Sequence, residues 1–132
     1  MSYDYIIDSY TWVEYFRGSR EGDIAKEYIE NKSCATASIT IAELSEKYNR
    51  EKKEFGIDLQ YIMSRNKIIN LDKEIAELAG KINFDNKKKI KNWGMADSII
   101  LATSKILNSK VITGDEHFRK LNAIMLNYSG GL

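Results

Sequence analysis

Four acidic residues, Asp8, Glu43, Asp97 and Asp115, each follow a short apolar run or open a segment of helical spacing. In an open parallel sheet ligands bind beyond the carboxyl ends of the strands, so acids at those places can converge although they lie far apart in the chain. Asp8 ends Tyr5-Ile6-Ile7, and Asp115 follows Val111-Ile112-Thr113-Gly114. Glu43 lies in the first turns after a β-prone run at 33–37, and Asp97 opens the apolar stretch that begins Gly94-Met95-Ala96. Converging carboxylates repel one another and raise their own pKa values unless a divalent cation offsets the charge. All-oxygen ligation suits Mg2+ or Mn2+, as one or two ions, rather than Zn2+. Mg2+ on a few carboxylates keeps waters and takes phosphate oxygens, which points to activation of water for in-line attack on a phosphodiester.

Each acid has a structural alternative, because carboxylates at helix N-termini cap backbone N–H groups and favour the helix dipole. Asp8 can cap the first helix and Asp115 the last, while Thr40-Ile41-Ala42-Glu43 matches a capping box. Asp97 differs. Its neighbours Met95, Ala96, Ile99, Ile100 and Leu101 are apolar, so its charge calls for a bound cation or a distant basic residue. His117 is expected at the surface or beside the site, not as a general base, because metal-activated water needs no histidine.

Short β-prone runs at 3–7, 33–37, 67–69, 110–113 and 124–126 alternate with helical spacing at 10–16, 23–30, 38–54, 58–64, 72–82 and 94–107. Asp72 is a plausible N-cap for the fifth of these helices. Strands alternating with helices imply right-handed crossovers, hence α/β class: a three-layer α/β/α sandwich around a central, mostly parallel five-stranded sheet. No repeat, low-complexity tract or proline divides the chain, and residues 1–132 read as a single domain.

Twenty Lys and Arg against nineteen Asp and Glu leave a net charge of +1, so any nucleic-acid contact must come from local patches. Two are visible: Lys87, Lys88, Lys89 and Lys91, just before the helix of Asp97, and Lys47, Arg50, Lys52 and Lys53. Both can be solvated faces or phosphate contacts. Tyr10, Trp12, Val13, Tyr15 and Phe16 carry more aromatic surface than one short helix needs, suiting either core or a partner interface. The single cysteine, Cys34, sits in an apolar run and reads as a buried structural thiol. With no apolar run of membrane-spanning length and no leader visible, a cytoplasmic protein that meets no membrane is expected.

The residues resemble the PIN-domain family, and particularly the VapC-like ribonuclease toxins of type II toxin–antitoxin pairs. The resemblance rests on Tyr5-Ile6-Ile7-Asp8-Ser9-Tyr10-Thr11-Trp12, Ile39-Thr40-Ile41-Ala42-Glu43-Leu44 and Leu71-Asp72-Lys73-Glu74-Ile75-Ala76. It extends to Ala96-Asp97-Ser98-Ile99-Ile100-Leu101-Ala102-Thr103 and Ile112-Thr113-Gly114-Asp115-Glu116-His117-Phe118. It implies a PIN-like fold, metal-dependent endoribonuclease activity, and metal ligation by Asp8, Glu43, Asp97 and Asp115. Thr113 and Ser9 would be supporting polar residues, a small antitoxin protein the partner, and a homodimer the assembly. The chain departs from the family at Tyr10, where a small polar residue is common, and at His117, where an acid is common. A receiver-like magnesium-binding signalling module is the rival enzyme-free reading, but Asp8-Ser9 and Ile69-Asn70 stand where receivers carry paired acids and a phosphoacceptor aspartate. A PIN scaffold that binds RNA or protein without cutting is the other.

Overall fold

Ile6, Ile7, Ala35, Val111 and Ile112 have no exposed surface, as strands covered on both faces require. They belong to a computed structural model that describes residues 2–127. The elements run β1 (Tyr5–Ile7), α1 (Ser9–Arg17), α2 (Arg20–Asn31), β2 (Cys34–Ala37), α3 (Ser38–Arg50) and α4 (Gly56–Arg65). They continue with β3 (Lys67–Ile69), α5 (Lys73–Asn86), α6 (Met95–Ile106), β4 (Lys110–Thr113), a 3-10 turn (Glu116–Phe118) and β5 (Ala123–Met125). The strand order is β3-β2-β1-β4-β5, and every neighbouring pair is parallel.

Side chains alternate across each strand, so one sheet feeds two cores. Ile7 and Ile112 face Trp12 of α1, Ala25 and Ile29 of α2, Leu44 of α3 and Ile62 of α4. Val111 faces the other way, toward Ile75 and Ala79 of α5, Ile99 to Ala102 of α6 and Phe118. This is the three-layer sandwich the alternating pattern predicts. The chain steps outward from β1 to β2 to β3, then returns through α5 and α6 to enter β4 on the other flank of β1. Strand order therefore reverses between β1 and β4, and a crevice opens beyond their carboxyl ends.

Local chemistry moves several boundaries. Helix α2 starts at Arg20 rather than 23, because Gly18 turns the chain at φ 67° and Ser19 caps the Gly22 N–H at 3.1 Å. A Cβ on Gly22 would lie 2.1 Å from the Glu14 carbonyl oxygen, so α1 and α2 meet backbone to backbone there. Helix α3 ends at Arg50 instead of 54, where Lys52 takes a left-handed φ of 58° and Lys53 N–H closes on the Tyr48 carbonyl. Helix α5 runs on to Asn86, with Asp72 capping Ile75 N–H as expected. β1 omits residues 3 and 4, and β5 lies one residue earlier than the pattern suggests.

Helix α6 is buried at seven consecutive positions, Ser98 to Ser104, matching its apolar sequence. Cys34 is buried and unpaired by disulfide, its thiol directed at the Tyr28 carbonyl. Burial pushes that thiol's pKa up to about 12, which makes it inert. The aromatic residues of α1 resolve mostly as core: Trp12 is fully buried, stacks on Phe16, and donates its indole N–H to Thr36. Tyr15 is half-buried against Tyr61 and donates to Glu30. Among the described residues no helix is long and apolar enough to cross a membrane.

Candidate active site

The crevice between β1 and β4 is where the acidic residues meet. Asp8 follows β1 directly and is the N-cap of α1, its Oδ1 accepting from Thr11 N–H at 3.0 Å. Asp115 follows β4 and caps the 3-10 turn through His117 N–H at 2.9 Å. Both capping alternatives are therefore real, and each leaves the second carboxylate oxygen of its residue without a capping partner. Thr113 ties the two strand ends together. Its hydroxyl oxygen accepts from Asp115 N–H at 2.9 Å, and its proton is directed to Asp8.

Asp97 sits in the first turn of α6 and accepts from Gly94 N–H at 3.1 Å. The distant basic partner that its apolar setting calls for is His117, whose Nδ1 lies 3.1 Å from Asp97 Oδ2 and 3.7 Å from Asp115 Oδ1. One donor atom from each of Asp97, Asp115 and His117 lies within 4.8 Å of the others. Glu43 reaches the same place from α3, but not as a cap. The N-cap of α3 is Ala37, and the buried Thr40 hydroxyl makes no hydrogen bond to Glu43, so the capping box expected at 40–43 does not form. Glu43 instead accepts from the Ser9 hydroxyl at 3.2 Å.

The electrostatics record this convergence. Burial raises the Asp8 pKa from 3.8 to about 7, against hydrogen bonds from Thr113 and Thr11 that lower it, with Asp115 raising it further. Burial also raises Glu43, and the charges of Asp97 and Asp115 add to the effect. Asp97 is raised by burial and by Asp115, opposed by Gly94 N–H and His117. Groups that would rather be neutral, packed where none can escape the others, are what a divalent cation would relieve. The donors fit such an ion chemically: carboxylate oxygens dominate, partly exposed Asp97 and Asp115 leave it a way in, and the one basic side chain between them, His117, can itself offer a nitrogen donor.

Beside the acids a groove of ≈ 420 Å³ runs between α1 and α3, lined by Ser9, Glu43 and Asp115 and by Arg17, Lys47 and Arg50, which pair with Glu14, Glu51 and Glu46. The second basic patch, around Lys47 and Arg50, thus flanks the site. Lys87, Lys88, Lys89 and Lys91 are exposed in the connection between α5 and α6, with Lys88 Nζ over the Phe84 ring at 3.8 Å. That connection leads through buried Trp93 to Gly94 and Asp97, but the lysines do not line the groove.

Two neighbours of the acids make bonds that the sequence does not show. Tyr10 donates to Glu21 at 2.8 Å and packs on Gly114, where a Cβ would meet its ring at 2.1 Å. Trp93 donates to Ser98 Oγ at 2.6 Å, and that hydroxyl donates to Asn83 at 3.0 Å, setting a wall beside the His117 ring. His117, the only histidine of the chain and expected at the surface or beside the site, stands beside Asp97 and Asp115.

Comparison by fold gives close matches. A toxin–antitoxin complex from Klebsiella pneumoniae contains a chain of TM-score 0.74 and 24% identity, covering 93% of this chain and 98% of that one. VapBC2 from Rickettsia felis, bound to a DNA fragment from its promoter, matches at TM-score 0.73 and 20% identity over 92% and 96% of the two chains. DNA-bound VapBC from Salmonella typhimurium matches at 0.71 and 20% over 95% and 96%. Comparison with curated proteins by sequence gives no match. The model of the PIN-domain family matches residues 5–124, which leaves no room for the receiver-like alternative. With its parallel sheet, its reversal of strand order between β1 and β4 and its acids at that crevice, the chain belongs to the PIN-domain family.

Proposed function

We propose that this chain is a divalent-metal-dependent endoribonuclease acting as the toxin of a toxin–antitoxin pair. One observation carries the reading: Asp97 and Asp115 present donors within 4.8 Å of each other, with Asp8 and Glu43 close enough for their charges to act on the same cluster. Asp8, Glu43, Asp97 and Asp115 would hold Mg2+ or Mn2+, as one or two ions. Bound there, the metal supplies positive charge for a phosphodiester and lowers the pKa of water.

The chain's own residues do the positioning. Ser9 orients Glu43, Thr113 holds Asp8 and the backbone of Asp115 in register, and Gly94 N–H fixes Asp97. Arg17, Lys47 and Arg50 line the groove leading to the acids and would take the phosphates of an RNA strand. Lys87, Lys88, Lys89 and Lys91 form a second, outlying phosphate contact. The toxin reading draws on the fold shared with chains of toxin–antitoxin complexes. A small antitoxin protein would be the partner and a homodimer the assembly, in the cytoplasm; Ile57 and Met63 of α4, 83% and 59% exposed, offer apolar surface to a second chain.

The test is cleavage of total cellular RNA with Mn2+, with Mg2+ and with chelator, comparing the natural chain with Asp97→Asn and mapping new 5′ ends. Discrete cuts that need both metal and Asp97 are expected. Cuts that persist in Asp97→Asn or in chelator would overturn the assignment, and metal binding without cleavage would leave a PIN scaffold that only binds.

A further inference from the structure

We infer that His117 is itself a metal ligand, through Nδ1, and that this nitrogen donor tilts the site toward Mn2+ over Mg2+. The inference rests on the metal-dependent reading above and adds a residue to it that the four-carboxylate set does not contain.

The geometry carries it. His117 Nδ1, Asp97 Oδ2 and Asp115 Oδ1 are separated by 3.1 and 3.7 Å along the two His–Asp edges, and the three residues are the one group of potential ligands that meets at ligand spacing among those described. Asp8 and Glu43 do not join that tight group; His117 does. The ring is also held for the purpose. Its own backbone N–H is fixed to Asp115 Oδ1 at 2.9 Å by the 3-10 turn. One side of the ring faces Trp93, centroids 6.3 Å apart, and Trp93 is itself pinned by its indole bond to Ser98. Metal-ligating histidines owe their orientation to such surroundings.

The same short contacts fit a second arrangement, in which a protonated imidazole simply neutralises the two aspartates. The two differ in where the proton sits: on Nε2 alone when Nδ1 ligates, on both nitrogens when the ring is a counter-charge. They differ also in selectivity. Mg2+ takes oxygen donors and binds imidazole poorly, whereas transition ions accept nitrogen readily, so a histidine in the set favours Mn2+ in the competition.

Electron-spin-echo spectroscopy of untagged protein loaded with Mn2+ reads the bond directly. The chain has one histidine, so nitrogen coupling of imidazole type can come from nowhere else. The expected result is coupling from one imidazole, absent in His117→Asp and His117→Asn. Calorimetry should show the Mg2+-to-Mn2+ ratio of dissociation constants falling roughly tenfold in His117→Asp, which restores an oxygen donor. Mn2+ bound without nitrogen coupling, or an unchanged ratio, overturns His117 as ligand while the metal-dependent reading stands. Absence of bound Mn2+ in the natural chain overturns both.

Discussion

The Ser9 hydroxyl donates to Glu43 Oε1 across 3.2 Å, joining the start of α1 to the first turns of α3, 34 residues away. This bond aims the one acidic side chain of the crevice that no backbone N–H caps. Ser9→Ala is expected to leave folding intact and to lower metal affinity and RNA cleavage by about 10- to 100-fold, the usual cost of losing a partner that orients a ligand. The bond also favours charged Glu43, so its loss raises the Glu43 pKa. The acid limb of the pH–rate profile should then move to higher pH, which kinetics across pH 5–8 would reveal (about that range, near the titration of raised carboxylates).

Burial lifts the Asp8 pKa from 3.8 to about 7, and the sign of the consequence is definite. The folded state prefers neutral Asp8, so its penalty is absent below the unfolded value of 3.8 and complete above about 7. Metal-free protein should melt at falling temperature as pH rises through that window. Mn2+ or Mg2+ should reverse the loss, by about 2.7 kcal/mol at a hundredfold excess over Kd. Asp8→Asn keeps an oxygen to cap Thr11 and should melt higher than the natural chain at alkaline pH in chelator, yet be inactive. Thermal melts with and without chelator would check all three; a melting temperature that rises with pH in chelator would count against the burial argument.

Asp97→Asn retains an acceptor for Gly94 N–H but loses a charge at the centre of the cluster. Activity should fall by at least about a hundredfold, while circular dichroism and melting in chelator stay near those of the natural chain. A collapse of the fold instead would mean that Asp97 serves α6 more than it serves the site.

Gly114 lies between the end of β4 and Asp115, and a Cβ there would meet Tyr10 at 2.1 Å and Glu21 Oε2 at 2.7 Å. Gly114→Ala should therefore destabilise by roughly 1–3 kcal/mol and lower activity by moving Asp115. Tyr10→Ala in the same chain should restore part of the stability, giving a coupling outside simple additivity. Equal losses in single and double variants would show that the strain lies elsewhere.

Much of this protein was legible in the chain. Three- and four-residue apolar runs alternating with helical spacing determine a parallel α/β sandwich, because strands buried on both faces leave no polar alternation and crossovers need helices. The placement of Asp8 and Asp115 at the ends of such runs follows from the same pattern, as does the cap at Asp72. What tertiary structure alone decided is which way each side chain turned once there. Thr40 and Glu43 have capping-box spacing, yet Glu43 bonds Ser9 from another element, since a long-range partner outcompeted the local one. Asp97 needed a counter-charge that nothing nearby in sequence supplies. The partner that reaches it is His117, twenty residues on, because α6 and the 3-10 turn pack on the same face of the sheet and bring their ends to one crevice. The groove that brings Arg17, Lys47 and Arg50 beside the acids, likewise, exists only where α1 and α3 lie side by side.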